Sequence, residues 1–166
     1  MLHWKHRFWH GLHKKDVMKK LELKLLGRQE VCINSIHISL PSRKARALLF
    51  YLAVEPPHAH TRTRLAALLW PEDPPGKASH NLRQALSALR KALDNHGSAD
   101  YFLEATRDSI SLHTDSRVQI DIEAFMNCTL SSGNSQNISR PDIRRLKKAA
   151  ALYTGPFLEG VHLNDS

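Results

Sequence analysis

The sequence predicts an α+β fold: a small N-terminal antiparallel sheet, three helices and a C-terminal hairpin, followed by a short all-α segment. Three observations predict it. Apolar and polar residues alternate with period two in "LELKLLG" and again in "EVCI" and "IHISL", the mark of short half-buried strands. Three stretches between residues 43 and 93 instead repeat apolar residues at helical spacing. Beyond them, "YFLEATRDSISLH" holds two short apolar strands around a polar turn.

Taken in order, the strands end at Pro41, after Gly27 has broken the first run and Asn34 and Ser35 have supplied a polar joint. Ser42 can cap a helix over 43–54, with Ala45, Leu48, Leu49 and Leu52 on one side. The prolines of "EPPHAH" stop it. Thr61 caps a second short helix, "RTRLAALLW", which ends before Pro71; Pro71, Pro74, Pro75 and Gly76 make a stiff connection. The third helix is "GKASHNLRQALSALRKAL", closed by "DNHG", where Asn95 or Gly97 can take a left-handed cap. The hairpin that follows carries Arg107 at its tip. Sheet, helix, helix, basic helix, hairpin is the plan of a winged helix-turn-helix, in which the third helix lies in the major groove of DNA and the hairpin wing touches the backbone or minor groove beside it.

Charge agrees with that plan. The chain has 166 residues, with Lys+Arg 24 against Asp+Glu 16, which favours a polyanionic partner. Residues 1–20 hold Lys5, Arg7, Lys14, Lys15, Lys19 and Lys20 against Asp16 alone, whereas basic and acidic residues balance from 114 onward. The arm at 1–20 is read as basic and mostly disordered. Its His3, His6, His10 and His13 lack carboxylate or thiolate company, so no metal site is expected of them. Trp4, Phe8 and Trp9 beside lysines also suit a membrane surface, over a short apolar face. Cys32 and Cys128 have no paired spacing, which excludes a disulfide framework or a zinc site and fits a reducing compartment. No apolar run approaches the roughly 20 residues of a membrane span. No nucleophile and base, paired carboxylates or phosphate-binding loop suggests an enzyme or a cofactor.

The third helix carries the chemistry. Around a buried stripe of Ala78, Leu82, Ala85, Leu86, Leu89 and Leu93, its other face presents Lys77, His80, Gln84, Ser87 and Lys91 without a carboxylate. The amides of Asn81 and Gln84 suit the donor and acceptor pair of adenine, and Arg83 and Lys91 can donate to guanine or phosphate; His80 and Ser87 complete the candidate base-reading set. Arg43, Lys44 and Arg46 near the first helix, Arg62 and Arg64 at the second, Lys77 at the third and Arg107 on the wing are candidate phosphate contacts. The competing use of these residues is an ordinary solvated face.

"LPSRKARALLFYLAV", "TRTRLAALLWPED" and "NLRQALSALRKAL" resemble the DNA-binding domain of the Streptomyces antibiotic regulatory protein (SARP) family, a branch of the OmpR-type winged helices, over residues 21–113. "VQIDIEAF" and "IRRLKKAAALYTGPFLEGV" resemble the opening of the bacterial transcriptional activator domain, a tetratricopeptide (TPR)-like helical bundle, here truncated over residues 114–166. The resemblance implies a cytoplasmic, nucleoid-associated regulator that binds promoter direct repeats in double-stranded DNA, commonly as two protomers, and recruits RNA polymerase. Glu72 and Asp73, in the loop between the second and third helices, are its candidate polymerase contacts. With one helical pair, Leu146, Ala150 and Tyr153 are short of partners, so the pair must pack on the winged helix or a second chain, or the sequence is a fragment. Two other readings remain: a non-specific nucleic-acid binder driven by the arm, and a protein-interaction or dimerisation module.

Overall fold

The computed structural model describes residues 19–55, 58–96, 99–113, 115, 117–130 and 140–160. The expectations for the arm's histidines and aromatics, for a cap at Gly97 and for the loop over 131–139 fall outside them. Thirteen elements follow one another: β1 (Leu21–Lys24), β2 (Glu30–Ile33), β3 (Ile36–His37), α1 (Arg43–Val54), β4 (His60–Thr61), α2 (Arg62–Leu69), α3 (Pro75–Asp94), α4 (Ala99–Phe102), β5 (Leu103–Ala105), β6 (Ser109–Leu112), β7 (Val118–Ile120), α5 (Asp121–Leu130) and α6 (Arg140–Leu152).

The strand meander forms, with β1 alternating as the period-two pattern requires, whereas Val31, Cys32 and Ile33 of β2 are all buried and β3 is only two residues long and exposed. Leu21 and Leu23 turn inward and pair antiparallel with Ile33 and Val31. Asn34 and Ser35 both have positive φ, 50° and 65°, which is what a two-residue hairpin joint needs to match strand twist. Ser42 and Thr61 cap α1 and α2, their hydroxyls accepting from the N–H of Ala45 and Arg64. The third helix starts at Pro75, whose missing N–H costs nothing in a first turn. Asn95 is right-handed, φ −59°, and is not the left-handed cap expected there.

Three elements escape the sequence reading. Ala99–Phe102 is a short helix, so the wing strand begins only at Leu103. His60 and Thr61 form a strand that joins the wing, giving a three-stranded sheet in the order β4-β6-β5. Val118–Ile120, at the start of the segment expected to be all-helical, lies parallel to β1 and closes the first sheet as β3-β2-β1-β7. One apolar core joins both sheets to the helices, with Leu48, Leu49, Phe50, Leu65, Leu82, Leu89, Leu93 and Phe102 buried at its centre.

The helical pair packs on the first sheet, at the turn leaving β1. The Asp121 carboxylate accepts the N–H groups of Leu25, at 2.9 Å, and Leu26, at 3.0 Å. The segment after α6 returns to the same turn: Gly27 N–H donates to the Pro156 carbonyl at 2.9 Å and Leu158 N–H to the Leu25 carbonyl at 2.8 Å. The Thr154 hydroxyl donates to the Leu26 carbonyl. Gly27 has φ +94°, and a Cβ there would stand 2.5 Å from the Thr154 hydroxyl oxygen. Gly27→Ala should therefore lower stability by about 1–3 kcal/mol, read as a fall in the urea midpoint with an unchanged slope.

His60 is 3% exposed, and among the described residues its Nε2 is a buried side-chain atom without a hydrogen-bond partner. Its ring sits edge-on to Tyr51, 5.2 Å between centroids. Burial, and then the charge of Arg64, hold the imidazole below its ordinary value of 6.5. The unfolded chain thus takes up this proton more readily than the folded one, so stability is complete above pH ~6.5 and is lost as pH falls through the lowered folded value. Urea melts above and below pH ~6.5 should show this slope, and His60→Phe should flatten it.

Candidate nucleic-acid interface

The interface is built on the rotation of α3 about its axis. Ala78, Leu82, Ala85, Leu86, Leu89 and Leu93 are buried against α1 and α2. Each fully buried leucine contributes about 1.5–3 kcal/mol, so the opposite face is forced outward: Lys77, Ser79, His80, Arg83, Gln84, Ser87 and Lys91 are exposed. Arg83, Ser87 and Lys91 follow one another at four-residue spacing and form a ridge between two shallow grooves. His80 and Gln84 line one groove with Ala88. Arg62, Arg90, Asp94 and Asn95 line the other.

Gln84 and His80 are hydrogen-bonded along the helix, 2.9 Å between Nε2 atoms, so they present a coupled pair to any ligand. The acids near the second groove are engaged. Asp94 accepts the N–H of Ala99 at 2.6 Å, and Asp100 pairs with Arg90. The groove keeps a cationic lining because Arg62, Arg83, Arg90 and Lys91 outnumber Asp94.

Arg62, the first residue of α2, joins that helix to the wing. Its guanidinium donates to the Thr106 carbonyl from Nε at 3.0 Å and from Nη2 at 2.8 Å, and its own N–H donates to the Asp108 carbonyl at 2.9 Å. Thr106 closes the wing turn by accepting from the N–H of Ser109 at 3.0 Å, leaving Arg107 exposed at the tip. Where the chain leaves the wing, Arg117 holds Asp115 through its side chain and its backbone N–H, and this pulls the Asp115 carboxyl down to about 2. Arg117 also lies over the Tyr101 ring at 4.9 Å.

Of the residues singled out from sequence, His80, Arg83, Gln84, Ser87, Lys91 and Arg62 come together on the two grooves. The others do not line them. Asp73 is not a free acid of the loop: its carboxylate accepts from Lys77 Nζ at 2.7 Å and Asn81 Nδ2 at 2.9 Å, locking the turn onto the start of α3. Asn81, Lys77 and Asp73, expected as base reader, phosphate clamp and polymerase contact, are thus joined to one another at the start of α3, with the Lys77 side chain still exposed. Glu72 stays exposed. Lys44 is turned inward, its ammonium donating to the Leu69 carbonyl at 2.8 Å beside the Trp70 ring. Arg43 and Arg64 are exposed. Arg90 was missed; its place seven residues after Arg83, two turns on, was the signal.

Residues 37–109 match the family described as transcriptional regulatory protein, C terminal. That span runs from β3 to the wing, and its family is a winged-helix DNA-binding, non-enzymatic module of the OmpR type. The fold is similar to that of Mycobacterium tuberculosis EmbR in complex with a low affinity phosphopeptide, with a TM-score of 0.72 and 25% identity over 86% of this chain. The chain spans 38% of the length of that structure. No curated protein matches it significantly in sequence. The region over 37–109 is thus similar to the DNA-binding domain of transcriptional regulators.

Arg62→Ala removes a groove cation and two hydrogen bonds to the wing turn. It should weaken binding to unrelated duplexes alike, by about 1–2 kcal/mol, as measured by anisotropy titration.

Proposed function

We propose that the protein is a sequence-specific transcriptional regulator of the SARP type, with a winged helix over 21–113 and the opening of a bacterial transcriptional activator domain over 114–166. The observation that carries this reading is the α3 face itself, where Arg83, Gln84, Ser87 and Lys91 stand exposed beside an arginine-anchored wing. A helix of this length can enter the major groove, about 12 Å wide, with those side chains against base edges. Arg43, Arg64 and Arg107 are assigned to phosphates on either side.

The regulator acts in the cytoplasm as an activator at promoter direct repeats, where two protomers side by side place the loop before α3 toward RNA polymerase. Glu72 takes the polymerase contact, because Asp73 is held by Lys77 and Asn81. The EmbR-like arrangement supports the reading, as does the family match of the central region. Among the described residues no helix is long and apolar enough to cross a membrane.

The test is anisotropy titration of the full chain, and of the chain lacking residues 1–20, on DNA from upstream of its own gene and on scrambled DNA at two salt concentrations. Preference for the upstream DNA should survive removal of the arm at the higher salt. Affinity that vanishes with the arm, without preference, would instead favour the non-specific binder. Gln84→Ala should cost about 1–3 kcal/mol on the preferred site and relax one base position, whereas Lys91→Ala, if Lys91 meets phosphate rather than a base edge, should weaken all sequences alike.

A further inference from the structure

The α6 helix carries Arg140, Arg144, Arg145, Lys147 and Lys148 against the single acid Asp142. It packs along α5, with Ala149 buried and Asp142 and Leu152 half-buried. Beside that face Ile143, Leu146, Ala150 and Tyr153 fall within roughly 80° of the helix circumference. All four are exposed, Ile143 at 45%, Leu146 at 41% and Tyr153 at 53%. Tyr153 reaches the Phe125 ring of α5, 6.1 Å between centroids, so the stripe runs into the seam between the two helices. Met126 and Phe157 are also exposed, at 49% and 43%. Ile36, Val54 and Leu68 are exposed elsewhere, so among the described residues five of the eight larger apolar side chains left in water lie on the helical pair or just after it. On the outer side of the stripe stand Arg140, Arg144 and Lys147.

An apolar stripe bordered by cations selects its occupant by chemistry. Nucleic acid satisfies the cations and leaves Ile143 and Leu146 wet. A second copy of this helix matches the stripe and sets cation against cation. A helix with an apolar face and an acidic flank satisfies both, which is the helix-in-groove mode of recognition. We propose that the α6 stripe docks an acidic amphipathic helix of a partner protein, laid along the α5–α6 seam with its carboxylates toward Arg140, Arg144 and Lys147. This goes beyond DNA recognition and does not depend on it.

The probe is a synthetic amphipathic peptide of about 18 residues, with leucines at i, i+3, i+4 and i+7 and glutamates on the flanks; its control carries lysines in place of the glutamates. Both are titrated against the full chain by fluorescence anisotropy. The acidic peptide should bind at least about tenfold tighter than the lysine peptide. Ile143→Ser with Leu146→Ser should abolish that binding while the chain still melts in one cooperative transition, at a somewhat lower temperature because each side chain is about half withdrawn from water. Arg144→Glu with Lys147→Glu should reverse the preference, which separates recognition from a folding defect. Equal binding of both peptides, or acidic-peptide binding that survives the serine changes, would overturn the proposal. Self-association in sedimentation velocity that Leu146→Ser dissolves would overturn it too, by making a second copy the occupant.

Discussion

Six apolar side chains of α3 are withdrawn from water against α1 and α2, and the polar face of the interface follows from that burial. Turning the helix by one residue, about 100°, would expose Leu82, Leu89 or Leu93 at about 1.5–3 kcal/mol each. Any one hydrogen bond regained on the surface contributes about 1 kcal/mol net. Burial wins that comparison, so the rotation of the helix, and with it the direction of Arg83, Gln84, Ser87 and Lys91, is decided from inside the protein. Asp73 then acts at the helix start, drawing Lys77 and Asn81 back onto the turn.

Several cations in this molecule are structural before they are anything else. Lys44 satisfies the carbonyl at the end of α2, Arg62 ties α2 to the wing turn, Arg90 meets Asp100 and Arg117 meets Asp115. A net positive charge therefore overstates the cations offered to a polyanion. What distinguishes Arg83 and Lys91 is position, on a ridge whose nearest acids already have partners.

The turn after β1 does for the C-terminal pair what the leucine face does for α3. Main-chain groups of Leu25, Leu26 and Gly27 meet Asp121 at the start of α5 and the Thr154–Leu158 segment beyond α6. Because β7 is also hydrogen-bonded to β1, the helical pair is tied to the first sheet and its turn at three places rather than hung from a linker. Movement of the pair would be felt in the first sheet, whose inner face lies in the same core as α1 and α3.

Local chemistry determined most of the plan by itself: the hydroxyl caps at Ser42 and Thr61, the proline stops, the period-two strands, and the leucine spacing that splits α3 into a dry and a wet face. These depend on neighbours within about one helical turn, which a sequence displays. Only the tertiary structure decided the rest. Strands β4 and β7 are two and three residues long and take their strand character from distant partners; β4 is too short for any periodicity, and the apolar–polar–apolar alternation of β7 is too brief to mark a strand by itself. The same holds for the employment of Asp73, Asn81, Arg62 and Lys44, and for the orphaned ring of His60. Side chains of equal chemistry become reader, clamp or strut according to which partner stands within 3 Å, and that distance is set by packing across the whole chain.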